Sequence, residues 1–311
     1  MVATALTMTV IATVGCLPAA ASPQSAPGLQ WTPCPGQEGV ECADLSVPLD
    51  PADPGKEQVS LALARRPATD PAARIGSLVI EPGGPGLSGV EEVFAGHELA
   101  TPEVAARYDI VGFDPRGVGR SDPLWCFTDD QMDRYLNEQA AVGWDVDPAA
   151  PEVAAFAQTA AGFGQGCAAA NAPVLPYLGT HYAAADMNRI RTALGEQKLN
   201  YLGWSYGTKL GAVYADMFPD RVGRMVLDSA IDPALNIVQF NQGQSDALEA
   251  ALRRFFDYCS TVADCPLPPG QQAATTALKA FMLGLPVARQ TPEALTRSDV
   301  LSALTTAMYI P

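Results

Sequence analysis

At 311 residues with 48% apolar side chains, the chain can bury a sizeable core, either as one α/β domain with an insertion or as two small domains. Nineteen Lys and Arg against 34 Asp and Glu leave a net charge of −15, which repels phosphate backbones and argues against a nucleic-acid partner.

Residues 1–21 read as an export signal. Residues 6–14 are largely apolar and uncharged, and Ala19-Ala20-Ala21 offers the small side chains that a signal peptidase needs. No Lys or Arg precedes Lys56, so the usual basic start is missing. Val14-Gly15-Cys16 also faintly resembles a lipoprotein processing site, with Thr13 where a larger aliphatic residue is usual. The apolar run is too short for a stable membrane span, and no later segment has the length and purity of one. The expected location is therefore outside the cytoplasm, secreted or in the cell envelope. Cysteine usage agrees: removing Cys16 leaves six, in three local groups, Cys34 with Cys42, Cys126 with Cys167, and Cys259 with Cys265. Pairing within each group is the expectation, each short loop contributing about 2–3 kcal/mol if unstrained. Neither histidine lies near a cysteine pair, so no metal is expected, and no organic cofactor is indicated.

After a Pro-, Ser- and Gly-rich leader at 22–30, residues 58–65 alternate cleanly. Val59, Leu61 and Leu63 face one way and Ser60, Ala62 and Ala64 the other, which predicts an antiparallel, half-buried strand. Three apolar runs lack such alternation: Leu78-Val79-Ile80, Ile110-Val111-Gly112-Phe113 and Met225-Val226-Leu227. They read as parallel strands covered on both faces. Helical patterns at 182–194 and 208–217 lie between them, predicting a doubly wound α/β core over residues 22–233. Beyond Asp232-Pro233 the pattern turns helical: Leu248, Ala251, Leu252, Phe255 and Cys259 share one face. Val300, Leu301, Leu304 and Met308 do so again, with Ser298 as the expected N-cap. Residues 234–311 are therefore expected to form a helical cap.

Three motifs carry chemistry. Gly203-Trp204-Ser205-Tyr206-Gly207 follows the apolar strand at 199–202 and opens a helix, the setting in which a G-x-S-x-G pattern is specific. A serine on such a tight turn projects its hydroxyl from the sheet edge, with a helix N-terminus behind it. Glu81-Pro82-Gly83-Gly84-Pro85-Gly86 follows a strand and supplies backbone N–H groups for a developing oxyanion. Gly84 is the first choice of donor and Gly83 the second, with Tyr206 beside the nucleophile as the other. Asp114-Pro115-Arg116-Gly117-Val118-Gly119-Arg120-Ser121 reads as a scaffold loop, locked by an expected Arg116–Asp114 bond.

Together these motifs resemble the α/β-hydrolase superfamily, and most of all the secreted tripeptidyl aminopeptidases of actinobacteria and the related proline iminopeptidases. The likeness runs from about residue 30 onward, through Trp31-Thr32-Pro33-Cys34, Val47-Pro48-Leu49-Asp50, the three motifs above, Phe218-Pro219 and Val226-Leu227-Asp228. It implies a serine hydrolase that forms an acyl-enzyme on Ser205 and releases short peptides from free N-termini, the cap limiting how much peptide enters. Pro82 stands where proline iminopeptidases usually carry histidine, which favours the tripeptidyl branch. The base is unassigned: the only histidines, His97 and His181, precede the serine, whereas the family order is Ser, acid, His. Asp228 ends a strand where some hydrolases place the acid, but in the resembled family the acid comes later. The triad acid and base and the last strands are thus expected beyond residue 311, the cap is expected to be incomplete, and the chain as given is expected to be inactive. An esterase or lipase activity is the alternative within the same chemistry, and a non-catalytic remnant or binding protein is the alternative outside it.

Overall fold

The computed structural model describes residues 28–96, 100–141, 149, 151–286 and 294–309. The expected signal sequence, the Cys16 site and His97 lie outside the described residues. Among those residues, strands β1 (Thr32–Pro33), β2 (Glu41–Pro48), β3 (Gln58–Arg66), β4 (Gly76–Glu81), β5 (Tyr108–Phe113), β6 (Leu199–Trp204) and β7 (Val222–Asp228) form one sheet in the order β1-β2-β3-β5-β4-β6-β7. The first four in that order pair antiparallel, while β5, β4, β6 and β7 run parallel. Helices α1 (Gly89–Ala95), α2 (Pro102–Ala105), α3 (Asp129–Ala141), α4 (Pro151–Asn171), α5 (Thr180–Ala193) and α6 (Tyr206–Met217) connect the strands. Helices α7 (Ile237–Cys259), α8 (Gln271–Gly284) and α9 (Arg297–Tyr309) follow them. This is the doubly wound α/β core that the apolar runs predict, and the mostly parallel α/β-hydrolase architecture that the resemblance implies.

Strand parity explains the layers. Leu61, Leu63, Val79, Val111 and Phe113 point to the face covered by α5 and α6, where Met187, Ile190, Leu210 and Tyr214 complete one core. Ala62, Ala64, Ile80 and Ile110 point to the opposite face, against Val90 and Val93 of α1. This corrects the half-buried reading of β3: Ala62 and Ala64 are buried, because their small side chains are what let α1 lie close. The closeness is extreme where α1 meets β5, since a Cβ on Gly112 would collide with the Gly89 carbonyl oxygen.

The loop after β5 is held differently from expectation. Arg116 does not pair with Asp114. Its guanidinium makes a two-point fork on Asp186 of α5, at 2.7 Å on each arm, and also donates to the carbonyl oxygens of Leu49 (2.9 Å), Tyr177 (3.1 Å) and Pro48 (3.2 Å). Both charged side chains are 1% exposed. Asp114 instead accepts from the Ser88 hydroxyl (2.5 Å) and from the backbone amides of Val90 (3.2 Å) and Arg120 (2.8 Å). The loop turns back so sharply at Gly119 that Asp114 is spent on backbone amides, leaving the longer Arg116 to reach α5. The motif is still scaffold, but it joins loop to helix instead of bracing itself.

The disulfides Cys34–Cys42, Cys126–Cys167 and Cys259–Cys265 form as expected. The second ties α4 to the segment following β5, and α3 in turn packs against α9. Helices α7 to α9 share a small core of Phe256, Ala274, Leu278 and Met282. An Asn236–Gln239 capping box starts α7, with reciprocal hydrogen bonds of 2.9 and 3.1 Å. At α9 the cap is Thr296 and not Ser298: the Thr296 hydroxyl accepts from the Asp299 amide (3.2 Å), while Asp299 accepts from the Thr296 amide (2.8 Å). Among the described residues, no helix is long and apolar enough to cross a membrane. The reading of Met225-Val226-Leu227 as covered on both faces is corrected: among the described residues β7 is the edge strand, Val226 is 57% exposed, and Met225 and Leu227 are only partly buried.

The buried fork gives a direct prediction. Arg116→Ala leaves Asp186 charged and without its partner, and should destabilise the fold by about 3–5 kcal/mol in urea unfolding. An effect below about 1 kcal/mol would show that the fork is not the clamp described.

Candidate active site

Ser205 sits between β6 and α6 with φ +50° and ψ −120°, a conformation that a residue with a Cβ rarely adopts and that costs about 1–3 kcal/mol. The neighbouring backbone imposes it. The Ser205 amide donates to the Asp228 carbonyl (3.1 Å), which fastens the turn to β7. The Ser205 carbonyl accepts from both the amide (2.9 Å) and the hydroxyl (2.6 Å) of Thr208. Thr208 in turn accepts from the Ile231 amide (2.9 Å), so one buried hydroxyl links the turn to the segment that leaves the sheet.

The glycines on either side are needed for close approach. A Cβ on Gly203 would stand 2.6 Å from the Gly207 backbone, and one on Gly207 would strike the Glu81 carbonyl oxygen. From the other strand end, Gly83 (φ +103°) meets the same turn. A Cβ there would lie 2.6 Å from the Trp204 carbonyl oxygen, 3.0 Å from the Tyr206 nitrogen and 3.2 Å from Ser205 Cβ. The G-G-P-G loop and the Ser205 turn are therefore in backbone contact, as the shared sheet edge requires. Gly84 follows, in contact with the Gly86 and Leu87 amides of its own loop.

Sequence reasoning passed over Glu81. It ends β4, is fully buried, and neither carboxyl oxygen makes a hydrogen bond of normal geometry. One of them, Oε2, lies 2.8 Å from where a Gly207 Cβ would stand. Burial pushes its carboxyl up to about 8, and the nearby Gly83 amide offsets only part of that. The side chain is thus a neutral acid at neutral pH, set beneath the turn. Burial, and secondarily Glu81, raise the Tyr201 phenol. Tyr201 donates to the Gly207 carbonyl (2.8 Å), and the Tyr206 hydroxyl pairs with the Thr180 hydroxyl (2.9 Å). A glutamate at a strand end reads from sequence as the start of a polar loop, and nothing but its burial marks it out.

Among the described residues, neither His181 nor Asp228 makes a side-chain hydrogen bond to Ser205. His181 is exposed on α5, its ring centroid 4.0 Å from that of Tyr182. Asp228 gives its backbone carbonyl to the turn, while its side chain meets the Ser229 hydroxyl at 3.4 Å. A cavity of about 630 Å³ lies elsewhere, against Asp44, Ser46, Leu63 and Arg120, and no residue of the turn lines it. Among the described residues no three His, Cys, Asp or Glu side chains gather to hold a metal ion.

Comparison with known proteins places this geometry. Residues 76–298 match the alpha/beta hydrolase fold family. The chain is 35% identical over 312 residues to serine protease Hip1 of Mycobacterium tuberculosis, covering 94% of this chain and 58% of that protein. It is 36% identical over 240 residues to a tripeptidyl aminopeptidase of Streptomyces lividans, covering 74% and 44%. It is 35% identical over 307 residues to carboxylesterase B of Mycobacterium tuberculosis, covering 93% and 57%. The chain thus spans about half the length of these relatives.

Two outcomes follow from the packing and from Glu81. Gly207→Ala should destabilise the fold by about 1–3 kcal/mol in urea unfolding, since the added methyl has only backbone to displace; a neutral result would contradict the close approach. Glu81 retains its proton in the fold up to about pH 8, whereas an unfolded carboxyl releases it near 4.5. Its contribution to stability is therefore whole below about pH 4.5 and is lost progressively up to about pH 8, by at most about 1.4 kcal/mol per pH unit. The advantage of Glu81→Gln over the native protein should accordingly grow with pH, to an upper bound of roughly 4–5 kcal/mol by pH 8. A difference that stays constant with pH would show that Glu81 is ionised in the fold.

Proposed function

The chain belongs to the α/β-hydrolase family, and we propose that Ser205 is its nucleophile and that the reaction is acyl transfer through a covalent Ser205 ester. The observation that carries this reading is the strained Ser205 conformation, held between two backbone loops that end on the same sheet edge. The Ser205 hydroxyl attacks the carbonyl carbon and the carbonyl oxygen becomes an anion. We assign two amides to receive it. Tyr206 opens α6, so its N–H is one of the unpaired donors at a helix N-terminus. In the G-G-P-G loop the Gly83 carbonyl is drawn back to the Leu87 amide (3.2 Å). A trans peptide then turns the Gly84 N–H the opposite way, which favours Gly84 over Gly83 as the second donor.

The proton on Ser205 must pass to a base. No hydrogen bond joins the Ser205 hydroxyl to a histidine among the described residues, and the base is not assigned. For the substrate, the Hip1 and tripeptidyl aminopeptidase relatives support peptides, and a free N-terminus is the specific proposal. Residues 234–311, with α7 to α9 and the α3–α9 contact, would act as the cap that limits peptide length. The carboxylesterase B relative supports an ester substrate as the second reading. The three disulfides support a setting outside the cytoplasm.

The test uses the protein expressed from its complete reading frame. N-terminally free tripeptide substrates should turn over, blocked ones should not, and Ser205→Ala should lower the rate by about 10⁴-fold or more. Turnover of short-chain esters alone would replace the peptidase reading with the esterase one. Full activity in Ser205→Ala would remove both.

A further inference from the structure

Glu81 occupies a place that the acyl-transfer scheme does not use. Its carboxyl lies in a fully buried gap between three parts of the site. The Gly83 amide of the oxyanion loop is two residues along its own chain, Oε2 lies 2.8 Å from where a Cβ on Gly207 of α6 would stand, and Tyr201 of β6 is bonded to the Gly207 carbonyl. No arginine or lysine pairs with it among the described residues. The titratable groups that face it are the phenols of Tyr201 and Tyr206. On β5, the strand on the other side of β4, Asp114 is taken up by Ser88, Val90 and Arg120. A carboxyl in such a gap fills space without opposing the site while it keeps its proton. Once it loses that proton, it puts a negative charge beside the amides that must receive a second one.

Resting on the nucleophile reading above, we infer that Glu81 is a positioning residue whose neutral carboxyl wedges the oxyanion loop against the nucleophile turn, and whose ionisation slows attack by Ser205. The charge acts in two ways. It repels the developing oxyanion across low-dielectric packing. It also draws the Gly83 amide toward itself, which shifts the peptide that carries the Gly84 N–H. The proton leaves to solvent and returns from it, so the effect is reversible and adds no step to the chemistry.

The experiment follows the rate of Ser205 labelling by a fluorophosphonate against pH, in the protein expressed from its complete reading frame. The native rate should fall by about tenfold between about pH 7 and about pH 9.5, with a midpoint near 8, as expected for one like charge brought close to the oxyanion. In Glu81→Gln the ratio of the two rates should stay near one, because the amide fills the same space and cannot ionise. If the variant does not fold, the native profile decides alone: a reversible fall centred near pH 8 supports the inference and a flat profile overturns it. A fall that survives in folded Glu81→Gln also overturns it, and leaves the nucleophile reading intact. Absence of label on Ser205 at every pH overturns the nucleophile reading itself and this inference with it.

Discussion

The site depends on backbone meeting backbone. Ser205 can hold a positive φ only because Gly203, Gly207 and Gly83 carry no side chains where three chain segments converge. The strain is local, about 1–3 kcal/mol, and the hydrogen bonds that hold it are few: Ser205 to Asp228, and Thr208 to Ser205 and Ile231. The first anchors the turn to β7, the second closes it on the start of α6, and the third ties it to the segment that leaves the sheet. Ser205 is therefore fixed by the ends of β4, β6 and β7 together, and the parallel register of those strands brings Glu81 level with Gly203 and Trp204 level with Asp228.

That register needs a rigid frame, which the two faces of the sheet supply differently. On one side, large side chains from α5 and α6 interlock with β3, β4 and β5. On the other, α1 approaches over alanines and glycines, closely enough that β5 has no room for a Cβ at Gly112. The buried Arg116–Asp186 fork crosses from the loop after β5 to α5, and its remaining donors collect carbonyls from the end of β2 and from Tyr177. One guanidinium thereby binds backbone oxygens from two segments as well as the Asp186 carboxylate, a task that suits five fixed donors and not a single ammonium.

Much of this was legible in the sequence because it depends on short-range pattern. The apolar runs at Leu78 and Ile110 have no polar alternation, as strands covered on both faces require, and the serine motif was read from its position between a strand and a helix; the run at Met225 reads the same way although its strand lies at the sheet edge with Val226 57% exposed. Strand β2 went unread although Ala43, Leu45 and Val47 alternate with Asp44 and Ser46, because cysteine and glutamate at its start dilute the signal. Helix α3 is mostly polar, and α4 is built from alanine and glycine with no clear stripe, so neither announces itself. The partner of Arg116 was misread because Asp114 is near in sequence while Asp186 is near only in space. Glu81 was missed for the same kind of reason: its importance lies in what surrounds it, and local pattern carries no information about that.

The central claim is geometric, and a phosphonylated crystal structure tests it most directly. With a diethylphosphoryl group on Ser205 Oγ, the phosphoryl oxygen should lie about 2.7–3.1 Å from the amide nitrogens of Tyr206 and Gly84, with the backbone of the turn unmoved. An adduct whose oxygen faces solvent, or a turn in which Ser205 has relaxed to negative φ, would contradict it.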